Sequence, residues 1–512
     1  MQLVWCGFSH SEPCSHPFCH IFFPSRYLFR IPHSWQIRQP GTYLPAHPIM
    51  PLDIIIVGAG IAGLSAAVAL RRAGHAVRLY ERSSLNKEVG AAITVPPNVG
   101  RFLLAWGLDP VREHFVRGQV QAFVDPFTLE TQSLVSHDAN RSRYGGVDLW
   151  LAHRVDLHNM LKKMATEPLG PGPPATIYLQ SAVESYDPEA ASITLANGTV
   201  VRGDLVVGAD GIHSLATEFV LRENVQPAPP AHYNMCYRFL IPAAAIEKDP
   251  ETQWWHRGEM GEKATMRIMT DNAASRRLVS YPCRDREIHN FAALYLDTDM
   301  KGVTNEDYLA TVDKADVLER FKGFHPSLLS VVNKATDIKR WPLLYRPPIP
   351  TWYRGRLALA GDAAHPMLPH QGQGGAQGIE DGCALGIAFQ GVVSTEEIPQ
   401  RLALYEKIRR NRAAAMQVLS NVGQDQTHLI SDELSRYFPQ GETPKNIAEI
   451  FKFTYGHDMV GSALKIMKEH DEKYELPAGF VLGEKHKEPK PPNADPAGKD
   501  AECVVTSREV VV

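Results

Sequence analysis

The run DIIIVGAGIAGLSAAVALRRAG, from Asp53 to Gly74, permits few folds. Asp53 to Val57 is β-branched and strand-forming, Gly58 to Gly63 is a turn, and Leu64 to Arg72 has a helical pattern closed by Gly74. Ala76 to Glu81 reads as a second strand, so Gly58, Gly60 and Gly63 occupy the GxGxxG positions of a strand–turn–helix–strand unit. The first glycine permits the tight turn, the second a close backbone approach to a pyrophosphate, and the third close helix–strand packing. A free helix N-terminus offers N–H groups to that diphosphate. Glu81 ends the second strand 23 residues after Gly58, where a carboxylate can accept from ribose hydroxyls. The apolar stretch Ile54 to Leu70 approaches membrane-spanning length, but its glycines and Ser65 favour a buried strand and helix.

At 512 residues the chain needs more than one core, and 44% hydrophobic with 21% charged residues is ordinary for a globular protein. A net charge of −4 gives no field favouring nucleic acid, and no membrane span is expected. The seven cysteines form no disulfide framework, which fits a reducing, cytoplasmic compartment. Cys283 and Cys383 read as buried fillers, because neither has a Cys-x-x-Cys partner.

Residues 1–49 differ from the rest: seven prolines, no lysine, no aspartate and one glutamate, Glu12. Cys6, His10, Cys14, His16, Cys19 and His20 match no structural zinc spacing well, and no second half-site follows. The segment is expected to be disordered or a mis-annotated extension, with translation beginning at Met50. Glycine-rich style returns after Arg356, in GDAAHPMLPHQGQGG from Gly361 to Gly375. Asp362, His365 and His370 there resemble metal ligands, but no second ligand cluster supports a metal, and the glycines suit contact with a bulky cofactor.

The fingerprint alone does not separate NAD from FAD. DLVVGADGIHS (Asp204 to Ser214) resembles the DG motif of FAD-dependent aromatic-ring monooxygenases of the salicylate-hydroxylase and para-hydroxybenzoate-hydroxylase type. LALAGDAAHPMLPHQGQGG resembles their GD motif, and EVGAAITVPPN and HRVDLHNML also fit, so the likeness spans residues 53 to 420. It implies an α/β fold: a Rossmann-like FAD-binding domain, an inserted mixed β-sheet substrate domain and a C-terminal helical segment. The expected division is 50–228 and 346–397 for the FAD-binding domain, 229–345 for the substrate sheet, 398–480 for the helical region, and 481–512 for a disordered tail.

The resemblance implies FAD as cofactor, with NAD(P)H, O₂ and a small aromatic molecule as substrates, in a monomer or homodimer. Ala92, in the EVGAAITVPPN segment, is expected among the cofactor-binding residues. Arg154 matches the arginine that contacts its phosphoribityl region, where a permanently charged fork suits phosphate and ribityl oxygens. Asp210 and Gly211 match the DG pair, which links FAD binding to NAD(P)H binding in the family. The arginine expected three residues past the serine is replaced by Thr217, which puts the nucleotide contact and any NADPH preference in question. Asp362 matches the aspartate that hydrogen-bonds a ribityl hydroxyl. Pro366, Gly372, Gly374 and Gly375 match the loop along the flavin ring, and His365 is expected to order that loop.

For catalysis, similarity to fungal flavin hydroxylases of phenolic polyketides points to Arg238 as holder of a substrate phenolate and Tyr281 as its positioner. The expected function is NAD(P)H- and O₂-dependent hydroxylation, with or without loss of a carboxylate, of a phenol or aromatic acid in aromatic catabolism or secondary metabolism. Epoxidation on the same scaffold, or a flavin-binding protein without turnover, are the alternatives.

Overall fold

The computed structural model describes residues 50–85, 91–257, 263–298, 311–424, 426–477, 479–480 and, as backbone, 505–507. The cysteine–histidine cluster of the first 20 residues, the start at Met50 and part of the EVGAA segment concern or include residues outside these.

The apolar stretch at 54–70 is divided as its glycines require: strand Asp53–Val57, then helix Ile61–Arg72. That strand pairs in parallel with Ala76–Tyr80 on one side and Leu205–Gly208 on the other. Leu357–Leu359 and Thr176–Tyr178 extend the sheet in parallel, and Tyr353–Arg354 adds an antiparallel edge. Ile54, Ile55 and Ile56 are completely buried, as expected of a parallel strand covered on both faces. Among the described residues, no helix is long and apolar enough to cross a membrane.

Helix Gly374–Phe389 crosses helix Ile61–Arg72 at very short range. Gly378, Gly382 and Gly386, four apart on one face, meet Ala62, Ser65 with Ala66, and Ala69. A side chain at Gly382 would strike the backbone of the facing helix, so this seam admits only glycine. The contact ties residues more than 300 apart into one core and places the Gly361–Gly375 loop over the first glycine turn.

A second, mixed sheet runs in the order 311–312, 338–342, 235–242, 288–295, 276–283, 265–271, 120–124, 131–136, 505–507. Strands Val120–Val124 and Thr131–Ser136 come from inside the segment expected to belong wholly to the FAD-binding domain, so the boundary at 228/229 is not a boundary between sheets. Val120–Val124 reaches this sheet by pairing in parallel with Thr265–Asp271, a contact between residues 145 apart in sequence that periodicity does not encode. Within the tail expected to be disordered, Val505–Ser507 pairs antiparallel with Thr131–Ser136. Helix Ile398–Leu419 opens the C-terminal helical part.

Candidate active site

The glycine turn is held by backbone geometry. Gly58 has φ +99°, and a Cβ at Gly63 would run into the Gly58 carbonyl oxygen. Gly60 caps helix Ile61–Arg72 with no side-chain hydrogen bond, and a Cβ there would meet nothing, so the helix N-terminus stays open. Glu81 is engaged more than expected: its oxygens accept from Ala59 N and Ser83 N, each at 2.8 Å, which shapes the turn and leaves one lone-pair direction per oxygen for a ligand.

The DG and GD segments close on the same place. A Cβ at Gly58 would strike Ala209 and Asp210, and Gly361, at φ +62°, backs onto Ala62. One Asp210 oxygen accepts from the hydroxyl of Tyr186 at 2.9 Å and from Leu215 N and Ala216 N. The other is buried without a hydrogen-bond partner. Gly211 has φ +86° and open space around its Cα. Asp362 is exposed by surface area while its neighbours Gly361 and Ala363 are buried, so its carboxylate opens onto the cleft. Surrounding protein nonetheless crowds it. Crowding raises the carboxyl above its ordinary range, opposed by His365, Arg154 and Arg346.

Arg154 opens helix Arg154–Thr166, its N–H bonded to Ala91 O at 2.8 Å beside Ala92. A Cβ at Gly375 would meet the Ile93 side chain, Gly372 packs on Thr94, and Gly374 starts the long helix without a side-chain cap. Three chain segments, 92–95, 361–375 and 58–63, therefore line one cleft. Helix N-termini without side-chain caps, an orphaned buried carboxylate oxygen and an open aspartate suit a dinucleotide with hydroxyl and phosphate groups.

His365 does not face this cleft as a ligand. It is completely buried, its Nε2 lies 2.5 Å from Asp381 Oδ2, and its ring packs on Trp352. Asp381 also accepts from Gly361 N at 2.8 Å and pairs with Arg409. Next to it, Glu380 is held by Arg409 and Arg412. Burial alone would raise Glu380, but the two guanidiniums hold it far below the usual carboxylate range. This cluster under the loop was missed from sequence, although GIEDG carries a signal: two adjacent acids inside an apolar, glycine-rich helix demand buried partners. Among the described residues, no group of three or more His, Cys, Asp or Glu side chains could hold a metal ion.

Over the loop, the second sheet turns one face to a cavity of about 230 Å³. Strand alternation sets which side chains face it: Arg277, Val279 and Tyr281 on one strand, Leu294 and Ala292 opposite the first two on the next, and Arg238 in register beyond Ala292. Arg238 and Tyr281 both line it, as do Ala92, Gly372, Gly374 and Gly375. Arg238 stacks over the Trp341 ring at 5.0 Å. Tyr281 is 7% exposed, and burial pushes its hydroxyl well above the ordinary range, so it stays a proton-bearing donor.

Arg277 and His370 are among the further polar residues that line the same cavity. Arg277 donates from Nη1 to His370 Nδ1 at 2.9 Å, and both pack on the Tyr233 ring. Arg277 directly precedes the LVSYPCR run, and its alternation with Tyr281 was the available signal. Cys236, Cys283 and Cys383 are free and buried.

Residues 330–420 match a FAD binding domain model, and residues 56–86 match an NAD(P)-binding Rossmann-like domain model. The chain is 46% identical to an FAD-dependent monooxygenase of Aspergillus candidus, over 84% of this chain and 98% of that protein. It belongs to the FAD-dependent monooxygenases. The monooxygenase is also 35% identical to a hispidin-3-hydroxylase of Neonothopanus nambi, over 71% of this chain and 86% of that one. A 3-hydroxybenzoate 6-hydroxylase of Aquipseudomonas alcaligenes is 30% identical, over 80% of this chain and 98% of that one. In fold, it is similar to a salicylate hydroxylase–substrate complex, with TM-score 0.63, 20% identity, and coverage of 81% of this chain and 98% of that one. FAD is the cofactor of this family, and the cleft's residues fit it.

Proposed function

We propose that the monooxygenase hydroxylates a phenol or phenolic acid at the expense of NAD(P)H and O₂. The overall reaction balances as ArH + O₂ + NAD(P)H + H⁺ → ArOH + H₂O + NAD(P)⁺. The observation that carries this reading is the cavity shared by Arg238, Tyr281 and the glycines of the 372–375 loop. Its described wall holds two arginines, Arg238 and Arg277, and no carboxylate, so it favours an anionic aromatic. One of the relatives carries a name that specifies a phenolic acid, 3-hydroxybenzoate.

When bound, FAD supplies the two-electron chemistry that activates O₂. Gly58, Gly60 and Gly63 would hold its diphosphate at the open helix N-terminus, Glu81 its adenosine ribose, and Arg154 and Asp362 its phosphoribityl chain. Asp210 and Gly211 would close the cleft from the other side. Ala92, Gly374 and Gly375 would lie along the ring, where larger side chains would collide with it. The uncapped N-terminus of helix Gly374–Phe389 would stabilise negative charge developing on the ring. Arg238 keeps the substrate as phenolate, which raises electron density at the ring carbon to be oxygenated. Tyr281 donates to the substrate oxygen and fixes the ring's orientation. The apolar wall, including Val279, Ile268 and Leu294, excludes water.

The test is purification of the yellow holoenzyme, followed by a screen of phenols and aromatic acids for stimulated NADH and NADPH oxidation. Product mass should gain one oxygen atom, derived from labelled O₂. Bound flavin that neither nucleotide reduces with any aromatic would overturn the proposal, and a product carrying an epoxide would redirect it.

A further inference from the structure

We propose that a second cavity, of about 530 Å³, receives the nicotinamide mononucleotide half of the reduced nucleotide, with Arg238 as the wall it shares with the substrate cavity. The inference rests on the NAD(P)H-dependent reading above and supplies the reductant site that the DG motif does not.

Thr217 stands where the motif would carry a cation. It is 1% exposed, and its hydroxyl donates to Ala363 O at 2.7 Å, so it offers a nucleotide neither charge nor access. The second cavity offers both. It touches Ala91 and His153, the immediate neighbours of Ala92 and Arg154, and so adjoins the flavin cleft. Its volume falls in the range of roughly 300–1,000 Å³ usual for small-molecule sites.

The polar lining consists mostly of donors. Asn290, 1% exposed, accepts from Ala92 N at 3.1 Å through Oδ1. Since that backbone group can only donate, Nδ2 must point the other way, and it is buried with no hydrogen-bond partner. His153 Nδ1 is likewise buried and unpartnered, on a ring 6% exposed. Lys339 and Arg238 add positive charge, with Lys339 also bonded to Asp337 at 3.0 Å and Thr311 at 2.7 Å. Asp337, with a side chain 70% exposed, is the acid of the described lining. Ile288 and Pro242 supply apolar surface for a flat ring. A carboxamide, a ribose and a phosphate on a heteroaromatic match such a set: acceptors for Asn290 and His153, an anion for Lys339 and Arg238. Because Arg238 fronts both cavities, an anionic substrate and the nucleotide phosphate draw on the same cation, which makes occupancy of one cavity felt in the other.

Two variants at the cavity edge test this in the holoenzyme: Lys339→Glu, which reverses a charge, and Thr336→Trp, which fills space from an exposed position. Dissociation constants are measured calorimetrically for NADP⁺ and NAD⁺, and by flavin fluorescence for the most stimulating phenol of the screen above. Nucleotide binding is expected to weaken about tenfold or more, with the phenol constant within about twofold and flavin content unchanged. Weakened phenol binding with unchanged nucleotide binding would make this cavity an extension of the substrate site and overturn the proposal. No change in either, or a parallel loss of both, would overturn it equally. A wild-type enzyme that neither nucleotide reduces would instead bring down the broader function and this site with it.

Discussion

Arg277 on the second sheet donates to Nδ1 of His370 on the glycine loop at 2.9 Å, joining the sheet wall of the cavity proposed to bind substrate to the loop beneath it. A guanidinium can only donate, so His370 must present Nδ1 as an acceptor and carry its proton on Nε2. Burial first, then Arg277, holds this imidazole neutral, well below its ordinary range. Arg277→Lys preserves charge but not the planar fork that serves Thr270 and His370 together. We expect the substrate dissociation constant to rise roughly tenfold with FAD content intact. Fluorescence titration measures the first and absorbance the second, and loss of flavin in place of substrate affinity would contradict the assignment.

Arg238→Met removes the cation that fronts the substrate cavity. Activity at pH 7 should fall by about two orders of magnitude, with partial recovery as pH rises toward the substrate's own phenol pKa. Tyr281→Phe should lower kcat less and leave the pH profile in place. Identical pH profiles for wild type and Arg238→Met would refute the phenolate role.

Asp362→Ala removes the carboxylate that opens onto the cleft. FAD occupancy of the purified protein should drop severalfold, because a charge-assisted hydrogen bond contributes about 1.5–3 kcal/mol. A variant retaining full flavin and activity would remove Asp362 from the site.

Glu380→Gln leaves Arg409 and Arg412 short of a counter-charge in a fully buried cluster. Breaking a buried pair costs about 3–5 kcal/mol, so urea and thermal midpoints should fall markedly, and flavin retention with them. A midpoint unchanged within error would show the cluster to be dispensable.

His137 is 4% exposed, has no hydrogen-bond partner for either ring nitrogen, and sits among Tyr144, Phe451 and Tyr455. Burial lowers its pKa from 6.5 to about 4. The unfolded chain therefore binds the proton at higher pH than the folded one. Stability is full above about pH 6.5 and is lost as pH falls toward 4, up to on the order of 3 kcal/mol for this one group. His137→Phe should narrow the difference in Tm between pH 7 and pH 5. An equal difference in wild type and variant would exclude His137 as a source of acid lability.

The segments proposed to hold the cofactor were legible in the sequence because each leaves a local motif. Gly58, Gly60 and Gly63 make a tight turn and an open helix end within a few residues, whereas the closure of Gly58 on Ala209 and Asp210 and of Gly361 on Ala62 was not legible. Arg238 and Tyr281 were reachable by resemblance, and strand alternation agrees with their shared face. The tertiary structure alone decided what depends on distant pairing. Val120–Val124 joined the second sheet, Glu380 met Arg409 and Arg412, Arg277 met His370, and Asn290, with its unpartnered amide nitrogen, came to line a second cavity. Such contacts are set by sheet register and by which buried charges must find partners, and no residue's immediate neighbours record either.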